Sequence, residues 1–494
     1  MRRGAEEERE PLRSGLRATS VPRPAVRSLA GTLVALLICS MFSLAACQTV
    51  PQPAGSSSES AAPTVSNQSA RINSWFEDCK SSEQELIAFL HKMPKGADLH
   101  NHPSGAVDAE DVIRLASEQG LYYDRENRRF SAEVPEGPYW SPADFTDPTQ
   151  TQINQAYSEV MNVLTMRTVD GEANRDGDGR IGHDHFFNYF TATAAVNIPK
   201  DMMLEKLIRE AVSQRIGYLE LMTTYTAPED VQRVEELKEK VLAEAALEGE
   251  AWHLEINYIA SLVRTLSLEE FESQLAWATE RYYTPGLNIV GITILAPEDN
   301  PIALRDYDAQ MDLINAAYEK SMTEHPENPL RFTLHAGELT LENAPYSVLS
   351  TRLSDTLDRG HAVRVDHGTA IGWDNKVYEL LARMREENVG VTVCLTSNMG
   401  ILDGDDFHSQ FTLYHDYGVP VSLGTDDEGV ERTNLTAEYA KAAQWFDLGY
   451  EDLKELARNG IRISLLSQEE KDIQLTMLEE DFASFEEYIV AQIP

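Results

Sequence analysis

The sequence predicts an α/β fold, a (β/α)8 TIM barrel with a long insertion after its first strand. Three observations predict it. Short apolar runs alternate with longer, charged stretches of helical periodicity, as parallel βαβ units require. Eight such runs occur between residues 96 and 427. Four of them end in histidine or carboxylate, and strand C-termini are where such a barrel gathers its chemistry. An open doubly wound sheet is the competing arrangement. No Gly-rich nucleotide fingerprint follows any strand, which weakens it.

The strands read, in order, "GADLHNH" (96–102), "YLELMTT" (218–224), "WHLEINYIASL" (252–262), "NIVGITILA" (288–296), "RFTLHAGE" (331–338), "VRVDHGTAI" (363–371), "VGVTVCLTSN" (389–398) and "VPVSLGTDD" (419–427). The stretch "VQRVEELKEKVLAEAALEGEA" typifies the helices between them, and its charges read as a solvated face. Residues 103–217 form the insertion. Loops after barrel strands build the active-site face, so this segment should cover part of a pocket.

Before the barrel, the chain opens with scattered arginines, then "LAGTLVALLICSMFSLAA" (29–46), then Cys47. Small residues ahead of a cysteine resemble a bacterial lipoprotein signal rather than a membrane span. The resemblance implies cleavage before Cys47, lipidation of its thiol, and export to the periplasmic side of the outer membrane. Residues 1–46 are thus expected to be a leader and 47–75 a Ser-, Pro- and Ala-rich tether. Residues 76–494 would form the catalytic domain. Of the cysteines beyond Cys47, Cys79 and Cys394 make no disulfide framework, and Cys394 reads as a buried strand residue.

The 494 residues are 42% hydrophobic with a net charge of −39, enough apolar material for a large core. Such an acidic chain with no basic stripe repels phosphate backbones, which excludes a general nucleic-acid binder.

The strand ends carry the chemistry. In a strand, alternate side chains share a face, so His100 and His102 project together. The fifth strand ends in His335 and Glu338, the sixth in Asp366 and His367, the eighth in Asp426 and Asp427. Three neutral imidazoles and a carboxylate suit a zinc-type ion and leave a position for water. His100, His102, His335 and Asp426 would serve. The ion would lower the pKa of that water. Glu338, turned by Gly337, would face the substrate, His367 would orient or deprotonate the water, and Asp427 and Gly337 would bind substrate. The fourth strand has no lysine or carboxylate to bridge a second ion, so one Zn2+ per chain is expected.

The set H-x-H, H-A-G-E, D-H-G and T-D-D, in this order, resembles the adenosine deaminase family of metal-dependent amidohydrolases. The "MPKGADLHNH" opening and the long insertion look closest to its secreted, growth-factor-related branch and bacterial relatives. The resemblance implies hydrolytic deamination of adenosine or 2′-deoxyadenosine to the inosine product and ammonia; a deaminase of another aminopurine, or a secreted binding protein on the same fold without turnover, is the alternative. Zinc would sit at His100, His102, His335 and Asp426. Glu338 would protonate purine N1, His367 would assist attack by the activated water, and Asp427 would hold N7. A purine nucleoside is then the small-molecule partner. The membrane enters only through the lipid anchor, and a homodimer is an assembly the resemblance allows.

Three departures from the family pattern stand out, the first two of them on the substrate side. H-x-H-L-D-G becomes His102-Pro103-Ser104-Gly105, with Ser104 in place of a ribose-side carboxylate. The fourth strand's D-L-x-G-x-E becomes "ITILAPEDN", with Thr293 for the acid and Pro297 near the glycine that meets purine N3. Asp366 stands before His367, where glycine is usual.

Two further patterns lie in the insertion. "HDHFFNYF" (183–190) resembles the family's apolar pocket helix, so Phe186, Phe187 and Phe190 are expected in the pocket or core. "NRDGDGRIG" (174–182) resembles an EF-hand start. Its twelfth position is His185 instead of glutamate, which favours a plain acidic turn over a calcium loop. His361 reads as a packing or capping residue. Ser397 and Asn398 are expected to fix loop backbone beside the pocket.

Overall fold

The computed structural model describes residues 65–146, 151–166, 182–223, 227–402 and 408–493. The leader, Cys47, the first part of the tether, and residues 174–181 of the acidic loop lie outside the described residues. No described helix is long and apolar enough to cross a membrane.

Eight parallel strands form one sheet in sequential order. They are β1 (Gly96–Asn101), β2 (Ile216–Thr223), β3 (Glu255–Val263), β4 (Ile289–Leu295), β5 (Phe332–Ala336), β6 (Ala362–His367), β7 (Gly390–Val393) and β8 (Val421–Leu423). Most of their residues are buried, as expected of strands covered on both faces. The sheet closes between β8 and β1 through residues just past the strands. Asp426 N–H donates to the His100 carbonyl (2.9 Å), and His102 N–H donates to the Asp426 carbonyl (3.0 Å).

The crossover helices bury one stripe each. In Pro228–Leu247, Val231, Val234, Leu237 and Val241 face the barrel, the spacing of an amphipathic helix. Pro228 starts that helix at a position where the missing N–H costs nothing. Ser267 and Glu270 form a capping box on Leu268–Tyr282.

Four expectations about extent are corrected. The sixth strand stops at His367, not residue 371: Gly368 takes a left-handed φ of +63° and a short helix, Thr369–Trp373, follows. The tether does not run to residue 75: Val65–Cys79 is helical, and Ile72, Phe76 and Cys79 are buried in the barrel's core cluster. Their spacing of four and three puts them on one helix face. The seventh strand stops at Val393, not residue 398. Glu438 accepts from the Leu395 and Thr396 N–H groups (2.7 and 3.1 Å) and so starts the helix Leu395–Leu402. The eighth strand stops at Leu423. Beyond it Gly424 lies against His100, where a Cβ would come within 2.8 Å of the His100 Cβ.

The insertion has its own apolar cluster, which includes Val112, Tyr123, Phe130, Val160 and Tyr189. It contains a small antiparallel sheet, Arg129–Ser131, Tyr122–Asp124 and Tyr139–Trp140 in that order. Its last helix, Lys200–Ser213, packs Leu204, Leu207 and Ile208 onto the barrel and serves as the crossover from β1 to β2.

Candidate active site

Strand parity places His100 and His102 on the barrel interior, both buried, at the C-terminal end of β1. Asn101 turns away and donates to the Glu220 carbonyl (3.2 Å). His335 enters from β5 and Asp426 from the turn after β8. Asp426 Oδ1 lies 3.5 Å from His100 Nε2 and 3.2 Å from His102 Nε2. The His102 and His335 Nε2 atoms face each other at 3.3 Å. Three imidazoles and one carboxylate therefore converge on a single point.

Backbone conformation aims several of these groups. Asp426 and His367 both adopt left-handed φ, +56° and +66°. Such a conformation costs a non-glycine residue energy that surrounding contacts must offset. For Asp426 the contacts are the two seam hydrogen bonds and the preceding Thr425, whose hydroxyl donates to Asp98 (2.6 Å). For His367 it is the next residue: Tyr414 OH donates to the Gly368 carbonyl (2.9 Å). Gly337 (φ +70°) turns the chain toward Glu338, and a Cβ there would meet Leu353 at 2.6 Å.

The charges suit a cation. Burial pushes His335 well below its usual range, and neighbouring His100 pushes the same way. Burial also lowers His100, against the pull of Asp426. Burial would lower His102 too and is the largest single influence, but the hydrogen bond to Asp426 and the charges of Asp427, Asp426 and Asp366 together outweigh it and hold the ring up at about 9. Burial would raise Asp426, but His100 and His102 hold it far below the carboxylate range. The cluster thus keeps one positive charge on His102 against Asp426. His100 Nε2 is buried with no hydrogen-bond partner. A divalent ion bound by these four side chains would replace the His102 proton and use the orphaned nitrogen, so the residues present fit a zinc-type metal.

Beside the cluster is a cavity of about 380 Å³. Glu338, His367, Asp427 and Ser104 line it on the polar side, and Phe186, Phe187 and Phe190 wall it on the other. Burial raises the Glu338 carboxyl, with His367 opposing. Burial also raises Asp427, to about 8, with His102 opposing and Asp426 reinforcing. His367 Nδ1 faces Asn398 Oδ1 at 3.2 Å. Its Nε2 lies 3.8 Å from both Glu338 Oε1 and Asp426 Oδ2. Asn398 therefore holds a site side chain rather than loop backbone. Gly337 is not among the lining residues; its carbonyl accepts from Ala370 N–H (2.8 Å).

On the fourth strand, Thr293 contacts His335 Nδ1 through its hydroxyl at 3.1 Å. Counted from Thr293, the family's glycine position falls on Ala296, one residue before Pro297. Ala296 has the left-handed φ of +84° that glycine would adopt there. Proline at 297 therefore removes no N–H from that position.

Several participants escape sequence reasoning. Glu298 accepts from Glu338 N–H (3.0 Å) and pairs with the buried Arg352 (3.0 Å). His183 pairs with Asp299 (3.0 Å), and its ring packs against Phe187. Cys394 is buried, as expected, just past β7, and its sulfur lies within 4.8 Å of ligand atoms of His100, His367 and Asp426. Burial raises its thiol far above the usual range, with Asp426 adding to the effect, so it stays neutral. His185, in the helix Gly182–Thr193, is buried with Nε2 3.0 Å from the Thr165 carbonyl. His361 stacks on Tyr318 and contacts Asn315.

The family model for adenosine deaminase matches residues 173–480. An adenosine deaminase of Aliivibrio fischeri is 26% identical over 268 residues, 53% of this chain and 72% of the relative. One from Clostridium perfringens is 23% identical over 389 residues, 78% of this chain and 97% of the relative. Among solved structures, an ADAL–IMP complex superposes with a TM-score of 0.52 at 18% identity, covering 81% of this chain and 99% of that one. A zinc-bound cog1816 amidohydrolase from Burkhoderia ambifaria superposes at 0.51 and 18% identity, covering 82% and 94%. An N6-mAMP deaminase from arabidopsis gives 0.52 and 18%, covering 80% and 99%. With a family match over most of the barrel and its strand-end histidines gathered at one mouth, this chain belongs to the adenosine deaminase family.

Proposed function

We propose that the protein is a zinc-dependent adenosine and 2′-deoxyadenosine deaminase. One observation carries the reading: the His100–His102–His335–Asp426 cluster opens into the same aromatic-walled cavity as Glu338, His367 and Asp427.

A zinc-type ion held by those four residues supplies the Lewis acidity that makes water nucleophilic near neutral pH. The remaining work falls to the chain. Phe186, Phe187 and Phe190 bury the purine faces and exclude bulk water. Asp427 meets N7, which only accepts hydrogen bonds, so the aspartate must bring a proton; its raised carboxyl supports that role. Glu338, likewise raised, gives its proton to N1, which draws electrons from C6. His367 takes the proton of the attacking water, its Nδ1–H held by Asn398. Water adds at C6, the departing amino group takes the proton from His367 and leaves as ammonia, the C6 hydroxyl returns its proton to Glu338 as the carbonyl forms, and the inosine product keeps the proton at N1. Thr293 orients His335, and Glu298 fixes the backbone of Glu338.

A nucleoside is preferred to a nucleotide because no lysine or arginine is among the described residues lining the cavity. A 5′-phosphate would find no lysine or arginine among those residues. The leader sequence supports a further part of the proposal, an exported enzyme anchored through a lipid on Cys47.

The test is an ultraviolet assay of the purified, zinc-loaded protein with adenosine, 2′-deoxyadenosine, AMP and adenine in parallel. Adenosine is expected to react, with kcat/KM at least tenfold above AMP. Glu338→Gln should lose more than a thousandfold while keeping about one zinc per chain. Turnover of AMP ahead of adenosine would overturn the substrate assignment, and an active Glu338→Gln would overturn the acid.

A further inference from the structure

Beneath the cluster of histidines lies Asp366, fully buried, at the position where the family pattern has glycine. Its carboxylate only accepts hydrogen bonds. Oδ1 receives the Thr392 hydroxyl (2.7 Å), Oδ2 receives the Thr333 hydroxyl (2.6 Å), and Arg364 Nε approaches Oδ1 at 3.3 Å. Because Thr392 spends its only proton on Asp366, its oxygen is left as an acceptor. That oxygen lies 3.1 Å from His100 Nδ1. The His100 proton must therefore sit on Nδ1, and its Nε2 lone pair must point at Asp426 and the other imidazoles. The same carboxylate reaches within 3.9 Å of His100 Nδ1 and 3.8 Å of His335 Nδ1, one oxygen under each ring.

Arg364 keeps Asp366 in place. Its guanidinium donates to Glu220 (2.6 Å) and to the Leu99 carbonyl (3.1 Å), which ties β6 to β1 and β2. Glu220 is held in turn by Leu465 N–H (2.6 Å). The carboxylate cannot turn away from the threonines without breaking this chain of contacts.

We infer that Asp366 is a positioning residue of the metal centre, which acts through Thr392 to fix the tautomer and ring angle of His100 and supports His335 from below. A carboxylate behind a ligating imidazole makes the ring a better donor, and loss of such a partner typically costs about 10–100-fold in metal affinity. The inference rests on the proposed metal reading.

Zinc affinity is the readout, measured by competition with a chromogenic chelator on the full chain carrying Asp366→Asn, Thr392→Val or Thr392→Ser. Cobalt(II) absorption reports ligand geometry in each, and melting of the metal-free proteins reports folding. Asp366→Asn and Thr392→Val should each weaken zinc by about 10–100-fold and alter the cobalt spectrum. Thr392→Ser, which restores the hydroxyl, should bind within about threefold of wild type. If Asp366 only balances Arg364, Thr392→Val will keep wild-type affinity, and the inference fails. Should Asp366→Asn not fold, the threonine pair decides alone. A wild type that takes up no zinc overturns the metal reading itself, whereas a zinc-binding wild type matched by all three variants overturns only this inference.

Discussion

Gly105→Ala should cripple substrate binding through Asp427. Gly105 lies in the short turn after β1, packed against Asp427. A Cβ built on it would stand 1.7 Å from Asp427 Oδ1, 2.4 Å from Cγ and 2.5 Å from Cβ. Rotating the carboxylate does not relieve this, because the Asp427 Cβ itself is too close. Ordinary contact begins near 3.4 Å, so the side chain and its backbone must retreat by about 1–1.7 Å. Leaving a buried hydrogen-bonding group without its partner costs about 1–3 kcal/mol. At 1.36 kcal/mol per decade this is about 5–150-fold in kcat/KM. The assay compares Gly105→Ala, Asp427→Asn and the double variant, with zinc content measured for each. If the alanine acts through Asp427, the double variant should match Asp427→Asn within about twofold, since the two losses are one. A Gly105→Ala enzyme within threefold of wild type would refute the reasoning.

Phe190, at the cavity rim and 37% exposed, is expected to contribute about 1 kcal/mol of stacking. Phe190→Ala should therefore raise KM about fivefold with kcat and melting temperature little changed in steady-state kinetics and calorimetry. Arg364→Met removes the cation between buried Glu220 and Asp366 and should destabilise by about 3–5 kcal/mol in urea unfolding. Glu431 is buried, and burial first, then Asp426, Asp427 and Glu438, pushes its carboxyl well above the usual range. Its folded form holds a proton that the unfolded chain releases, so stability falls as pH rises from the unfolded value toward the raised one. Glu431→Gln removes this penalty: its melting advantage over wild type should be small near pH 4 and grow by about 2–4 °C toward pH 8.

What could be read in advance follows from what a side chain advertises. Histidines spaced by two in a strand, and carboxylates at strand ends, announce themselves because apolar strands rarely carry them. Thr293, Thr333 and Thr392 do not, since threonine is an ordinary strand residue and its hydroxyl matters only once strands are adjacent. Asp366 looks like a defect in a family motif until the neighbouring threonines are seen to fill it. The turn at Ala296 is invisible because alanine gives no sign of a left-handed φ. The helix Val65–Cys79 is hidden by the serine- and proline-rich composition just before it, although Ile72, Phe76 and Cys79 already mark its buried face.

The two backbone hydrogen bonds that close the barrel belong to residues whose side chains point at the proposed metal position. Ring closure and retention of an ion there would then be one equilibrium. A cation at a hundred times its dissociation constant would add about 2.7 kcal/mol to the closed form, acting as a clasp on the first and last strands. Stripping it should let the Asp426 and His102 amides exchange with deuterium well before those of β2 and β3, where six consecutive pairs hold the register. Shelf life in metal-poor solution would then be set at that clasp, and not by the bulk of the apolar core.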